Sequence, residues 1–232
     1  MTAVFAHRGC TDGFVENTID AFVGARRLGA DGAELDVHLT ADGALAVHHD
    51  PEIDGLGPLS SLGVPDLPAH VPLLPDVLAV CGGMEVNVEI KGDPGSAGGG
   101  GDHPELVAAE AAREIAEAGW TDRVIVSSFD VPVLHAVQRA DDRLALGELW
   151  PFLSEVDAGL LRAIEAGWTA VHPFVTEVTP DLVQRAHSVG LAVNAWTVNA
   201  ANDLTAFVAL GVDAVITDNL VEAVAIARVG LR

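Results

Sequence analysis

A chain of 232 residues that is half hydrophobic can bury one sizeable core, and it suits one domain over 1–232 better than two small ones. Its formal charge of −22 argues against a nucleic-acid partner, which needs a basic face, and against an anionic membrane surface. No run of eighteen or more apolar residues is present, so no integral membrane association is expected, and "MTAVFAHRG" enters a strand pattern at once without a leader, which points to a cytoplasmic protein.

The first strand pattern, 3–7, places Phe5 and His7 on one face, with Arg8 at its end. An amphipathic stretch follows and closes on Gly29. The same joint, a helical pattern ending in Gly before a short apolar strand, returns at Gly119, Gly167, Gly190 and Gly211, where a helix would end in a left-handed residue. The second strand, 32–37, sits in "GAELDVHL": Ala33, Leu35 and Val37 point one way, Glu34, Asp36 and His38 the other. "LTADGALAVHHD" then reads as a hairpin through Asp42-Gly43, with Leu45, Val47 and His49 on one face and His48 on the other. A Pro/Gly-rich excursion over about 51–75 forms a short cap.

The third strand, 85–91, is "EVNVEIK". Val86, Val88 and Ile90 alternate with Asn87, Glu89 and Lys91, and Lys91 is the single lysine among the 12 basic residues. A Gly-rich loop, 92–105, follows, either a lid or a tolerated insertion. Strands at 123–127, 143–148, 169–172, 191–196 and 212–217 bring the number to eight. Eight strands alternating with helices predict a compact TIM (β/α)₈ barrel. The competing doubly wound sheet lacks its Gly-rich phosphate loop after the first strand.

In a barrel the apolar faces suit the helix layer, and the polar faces turn inward. Glu34, Asp36 and Glu89 then converge near the C-terminal ends of adjacent strands. Three recessed carboxylates repel one another, and a hard divalent cation, Mg²⁺ or Ca²⁺, is the simple remedy; a buried Arg/Lys–carboxylate network without metal is the other. Zinc is less suited, with Cys10 and Cys81 the only cysteines and no CxxC pair. Three carboxylates with one divalent ion leave −1, Lys91 and Arg8 bring the site to +1, and a monoanionic phosphodiester brings it to zero. Two histidines at strand and hairpin ends, His7 and His49, can serve as base for an attacking oxygen and acid for a leaving one. Glu148 and His172 also fall at predicted strand ends, where they are candidates to line a pocket. Trp150 and Phe152 lie just beyond.

These residues resemble the glycerophosphodiester phosphodiesterase family. "HRG" (7–9), "ENTIDAF" (16–22), "GADGAELDVHLTADGALAVHHD" (29–50), "VEIK" (88–91), "AWTVN" (195–199) and "GVDAVITD" (211–218) look like its signature blocks, in its order, over nearly the whole chain. The resemblance implies a TIM barrel and a metal-dependent hydrolase that releases sn-glycerol 3-phosphate and an alcohol from a small glycerophosphodiester. It implies His7 and His49 as the acid/base pair, Glu34, Asp36 and Glu89 as metal ligands, Arg8 and Lys91 on phosphate, and Trp196 at the glycerol or head group. It also allows attack by the glycerol 2-hydroxyl through a cyclic phosphate. The cap is shorter than the family's usual insertion, and its "DRTT"-like segment is missing. Rival readings are a lysophospholipase D, a phosphate-binding barrel without turnover, and a metal-dependent sugar isomerase. The sequence leaves monomer and homodimer equally open.

Overall fold

The computed structural model describes residues 1–92, 103–152 and 156–229; most of the 92–105 loop lies outside the described residues. Among the described residues eleven strands and eight α-helices follow in chain order: β1 (Ala3–Ala6), α1 (Ile19–Arg27), β2 (Gly32–Leu39), β3 (Leu45–Val47), β4 (Glu52–Ile53), β5 (Gly57–Pro58), α2 (Leu74–Val80), β6 (Glu85–Ile90), α3 (Pro104–Glu117), β7 (Val124–Ser128), α4 (Val131–Ala140), β8 (Ala145–Trp150), α5 (Val156–Ala166), β9 (Ala170–Pro173), α6 (Pro180–Ser188), β10 (Ala192–Ala195), α7 (Ala201–Leu210), β11 (Ala214–Thr217) and α8 (Leu220–Val229).

The parallel ladder runs β1-β11-β10-β9-β8-β7-β6-β2, and β1 also pairs with β2, which closes the barrel. All eight expected barrel strands are present. β8 is displaced by two residues from its expected start, because Asp141 accepts hydrogen bonds from the Arg143 backbone and guanidinium and turns the chain first.

Helix ends follow local chemistry. Thr18 and Thr179 cap α1 and α6 by accepting from the N–H groups of Ala21 and Leu182. Gly29, Gly119, Gly167, Gly190 and Gly211 all have φ between 72° and 85°, the left-handed exit that the sequence predicts.

Outward strand residues, among them Val4, Leu35, Val37, Val86, Val88, Ile90, Val126, Val171, Val193 and Val215, pack into one core with the helices. Burying a side chain of this size stabilises the fold by roughly 1.5–3 kcal/mol. A second, smaller core, Phe5, Ala214 and Ile216, lies within the barrel. Gly32 is required there, since a Cβ would stand 2.4 Å from the Phe5 ring.

β3 pairs antiparallel with β2, with Val37 opposite Val47 and Leu39 opposite Leu45. The Thr40 N–H donates to the Ala44 carbonyl, so the turn spans Ala41, Asp42 and Gly43. It is longer than a two-residue hairpin, and Gly43 takes φ 87°. The cap beyond holds a satellite core of Ala46, Ile53, Leu59 and Val71.

Candidate active site

Three adjacent strands, β1, β2 and β6, carry the charged groups to the C-terminal rim. Asp36 lies opposite Glu89 in the parallel register, as Glu34 does Asn87. Inward alternation therefore stacks three carboxylates, and ligand oxygens of Glu34, Asp36 and Glu89 lie within 4.8 Å of one another.

The two cations enter from either side. Lys91 Nζ lies 2.5 Å from Glu89 Oε1 and 2.7 Å from Asp36 Oδ1, almost wholly buried. Arg8 takes a left-handed backbone conformation, φ 54°, at the turn after β1. There its N–H donates to Glu34 Oε2 (3.0 Å), its Nε lies 3.4 Å from Asp36 Oδ2, and its Nη1 donates to Glu16. Asn17, also left-handed at φ 55°, donates its Nδ2 to Asp36 Oδ2 (2.8 Å) and its backbone N–H to the Arg8 carbonyl.

The three carboxylates are not equivalent. Burial pushes Asp36 up, but Lys91 and Arg8 more than reverse this and hold it at about 2. Burial and the neighbouring Asp36 charge push Glu34 up to about 8. Glu89 is raised by burial despite Lys91. Glu34 Oε1 is buried without a hydrogen-bond partner among the described residues. Lys91 and Arg8 thus compensate Asp36 fully and leave Glu34 short of positive charge. A self-sufficient ion network would have no such orphan, whereas an all-oxygen triad with one uncompensated carboxylate fits a hard divalent cation.

His7 stands beside this triad, its Nε2 3.9 Å from Glu34 Oε2 and its Nδ1 2.7 Å from Asp218 Oδ1. Burial pulls it down, but the Asp218 hydrogen bond and the Glu34 charge outweigh burial and raise it above its usual value. His49 behaves otherwise than strand alternation predicts. β3 ends at Val47, with Leu45 and Val47 in the core against the helices. The His48 N–H donates to the Asp36 carbonyl, and the bend that follows leaves His49 within electrostatic reach of Asp36 and Glu89. Its Nδ1 is 2.7 Å from Asp50 Oδ1. His38, buried beneath, bonds the His49 carbonyl through Nε2 (3.0 Å).

On the far side of the barrel Trp196 is half-buried, edge-on to Phe129 and Phe174 at 5.3 and 5.0 Å, and donates Nε1 to the His172 carbonyl. Two expected pocket residues are placed elsewhere. Glu148 shares the outward face of β8 with Leu146 and Trp150, and Arg162 of α5 grips its carboxylate with Nε and Nη2. It belongs to the helix layer because alternation along β8 gives it the outward parity of Leu146 and Trp150, and a strand moved by two residues keeps that parity. His172 does point inward but is fully buried, filling the space above Gly147 and bonding Asn194 (3.1 Å). Burial holds it down at about 3, so it is a neutral interior side chain rather than part of the rim.

Sequence reasoning gave no role to Asn17, Asn199 or Asp218. All three lie in the "ENT", "WTVN" and "TD" blocks, whose polar side chains at strand and loop ends were the available signal.

The model of the glycerophosphoryl diester phosphodiesterase family matches residues 7–62 and 57–222. The chain is 33% identical over 242 residues to a glycerophosphodiester phosphodiesterase of Caldanaerobacter subterraneus subsp. tengcongensis, covering 94% of each protein. It is 30% identical over 246 residues to one of Bacillus altitudinis, covering 94% of this chain and 95% of that protein. An Oleispira antarctica phosphodiesterase, solved in complex with the product sn-glycerol-3-phosphate, shares the fold with a TM-score of 0.86 at 21% identity, over 97% of this chain and 96% of that one.

Proposed function

The chain belongs to the glycerophosphoryl diester phosphodiesterase family, and on that premise we propose that it hydrolyses glycerophosphodiesters to sn-glycerol 3-phosphate and an alcohol. The observation that carries the reading is the buried triad of Glu34, Asp36 and Glu89, flanked by Arg8 and Lys91 and overlooked by two histidines on different segments.

Glu34, Asp36 and Glu89 would hold one divalent cation, Mg²⁺ or Ca²⁺; the orphaned Glu34 oxygen supports this. When bound, the cation supplies Lewis-acid stabilisation of charge on the phosphoryl group. The chain's own groups do the rest. The Arg8 fork and the Lys91 ammonium bind phosphate oxygens and orient the diester. His7 and His49 exchange protons with the attacking and leaving oxygens, one as base and the other as acid. Trp196, at the opposite rim, offers an apolar edge to the glycerol or head group. No helix among the described residues is long and apolar enough to cross a membrane. We place the enzyme in the cytoplasm.

The test is release of glycerol 3-phosphate from glycerophosphocholine and glycerophosphoethanolamine, after EDTA and again with Mg²⁺ or Ca²⁺ restored. Metal-restored release that His49→Ala lowers by roughly 10²–10⁴ is expected. No release with either metal from folded protein would overturn the reading, and release from lysophosphatidylcholine alone would replace it with a lysophospholipase D.

A further inference from the structure

His7 is fixed by more than its own strand. β1 pairs in parallel with β11, the last barrel strand, and the His7 N–H donates to the Thr217 carbonyl across that seam. This brings Asp218, the next residue, against the imidazole, with Oδ1 2.7 Å from Nδ1. The other carboxylate oxygen, Oδ2, accepts from Asn199 Nδ2 at 2.6 Å. Asn199 in turn accepts on its Oδ1 from the Asp218 backbone N–H (2.9 Å) and the Thr217 hydroxyl (3.2 Å).

The polarity of this chain has one solution. A backbone N–H can only donate, so the Asn199 atom facing it is the amide oxygen. The Asn199 amide nitrogen therefore faces Asp218, whose ionised carboxylate only accepts. The remaining carboxylate oxygen must then receive a proton from His7 Nδ1. Nε2, on the opposite side of the ring and 3.9 Å from Glu34, is left as the nitrogen that faces the carboxylate cluster.

We propose that Asp218, oriented by Asn199, is the positioning residue that holds His7 in the Nδ1–H form, so that Nε2 is the ring nitrogen that exchanges a proton with substrate. The proposal rests on the reading of His7 as one of the acid/base pair. The plain alternative is a hydrogen bond that only fastens the β11–β1 seam.

Asp218→Asn separates them. Because the Asp218 backbone N–H pins Asn199, the new amide turns its oxygen to Asn199 and its NH₂ to His7, forcing the ring into the Nε2–H form. We expect kcat on glycerophosphocholine to fall by about a hundredfold or more with KM within about threefold. The ¹⁵N shifts of His7, assigned with His7→Gln, should change from Nδ1–H to Nε2–H. The paired variant Asp218→Asn/Asn199→Asp reverses the polarity of the chain and should restore both the tautomer and at least tenfold of the lost kcat.

Wild-type His7 in the Nε2–H form overturns the proposal without reference to turnover, and decides the matter even if Asp218→Asn does not fold. So does Asp218→Asn with wild-type kcat while His7→Ala is inactive. If His7→Ala keeps full activity, the acid/base reading fails instead, and the ¹⁵N measurement still judges the hydrogen-bond chain on its own.

Discussion

The two halves of the barrel interior treat buried polar groups in opposite ways. On β1, β2 and β6 the inward positions hold ionisable groups in contact with one another: Glu34, Asp36, Glu89 and Lys91, with Arg8 and His7 at the turn after β1. On β8, β9 and β10 the same layer holds Gly147, His172 and Asn194, all neutral and stacked on one another. Burial is comparable, with His172 at 0% and Asp36 at 1% exposure. The difference lies in partners. Asp36 has two cations and an amide on its carboxylate and stays ionised at about 2, whereas His172 has one amide and is held neutral at about 3. Charge survives burial only where counter-charges are built beside it. The charged half is therefore expected to serve binding and chemistry, and the neutral half to serve stability.

Lys91→Arg strikes the charged half hardest. The ammonium sits between Glu89 and Asp36 at 2.5 and 2.7 Å with almost no exposure, which leaves no room for a planar guanidinium. A loss of kcat/KM of about a hundredfold is expected in the glycerol 3-phosphate assay. Full activity would remove the reason for the single lysine.

Gly147→Ala tests the neutral half. Its Cβ would stand 2.3 Å from His172 Nε2, inside a ring that cannot move out. A loss of about 2 kcal/mol, or roughly 4–8 °C in Tm, is expected, with kcat/KM of the remaining folded protein little changed.

The pH dependence of stability sharpens the contrast. His38 and His172 are held down by burial to about 4 and about 3 from an ordinary 6.5. The unfolded chain binds protons there that the fold refuses. Their contribution is complete above pH 6.5 and is lost as pH falls from there toward the folded values. Each histidine adds a slope of at most about 1.4 kcal/mol per pH unit. Urea midpoints between pH 7 and 5 should show this loss, and His172→Gln should flatten the slope by about one proton.

The smallest effect is expected from Glu148→Gln, which loosens the bidentate contact with a part-exposed Arg162. It should cost about 1 kcal/mol by thermal melting and leave turnover alone. A tenfold fall in kcat there would show that Glu148 reaches the site after all.

Period and punctuation made much of this legible beforehand. The five helix-ending glycines, the eight strands and the inward alternation of "GAELDVHL" and "EVNVEIK" are local properties, set by sterics within a few residues. So the (β/α)₈ barrel and the convergence of Glu34, Asp36 and Glu89 could be written down from the sequence. Two placements needed more than a period: His49 lies past the last paired residue of β3, where alternation no longer fixes a direction, and nearness to a strand end misplaces Glu148, which shares the outward face of Leu146 and Trp150.

What only the tertiary structure decided is which distant groups share the buried charge. Asn17 on Asp36, and Asp218 with Asn199 on His7, are brought together by the pairing of β1 with β11 and by a left-handed turn. The residues of the His7–Asp218 pair are 211 apart in the chain. No local period encodes such a contact. Hydrogen-bond partners inside a closed barrel depend on register and ring closure, while strand and helix identity depends on neighbours in sequence.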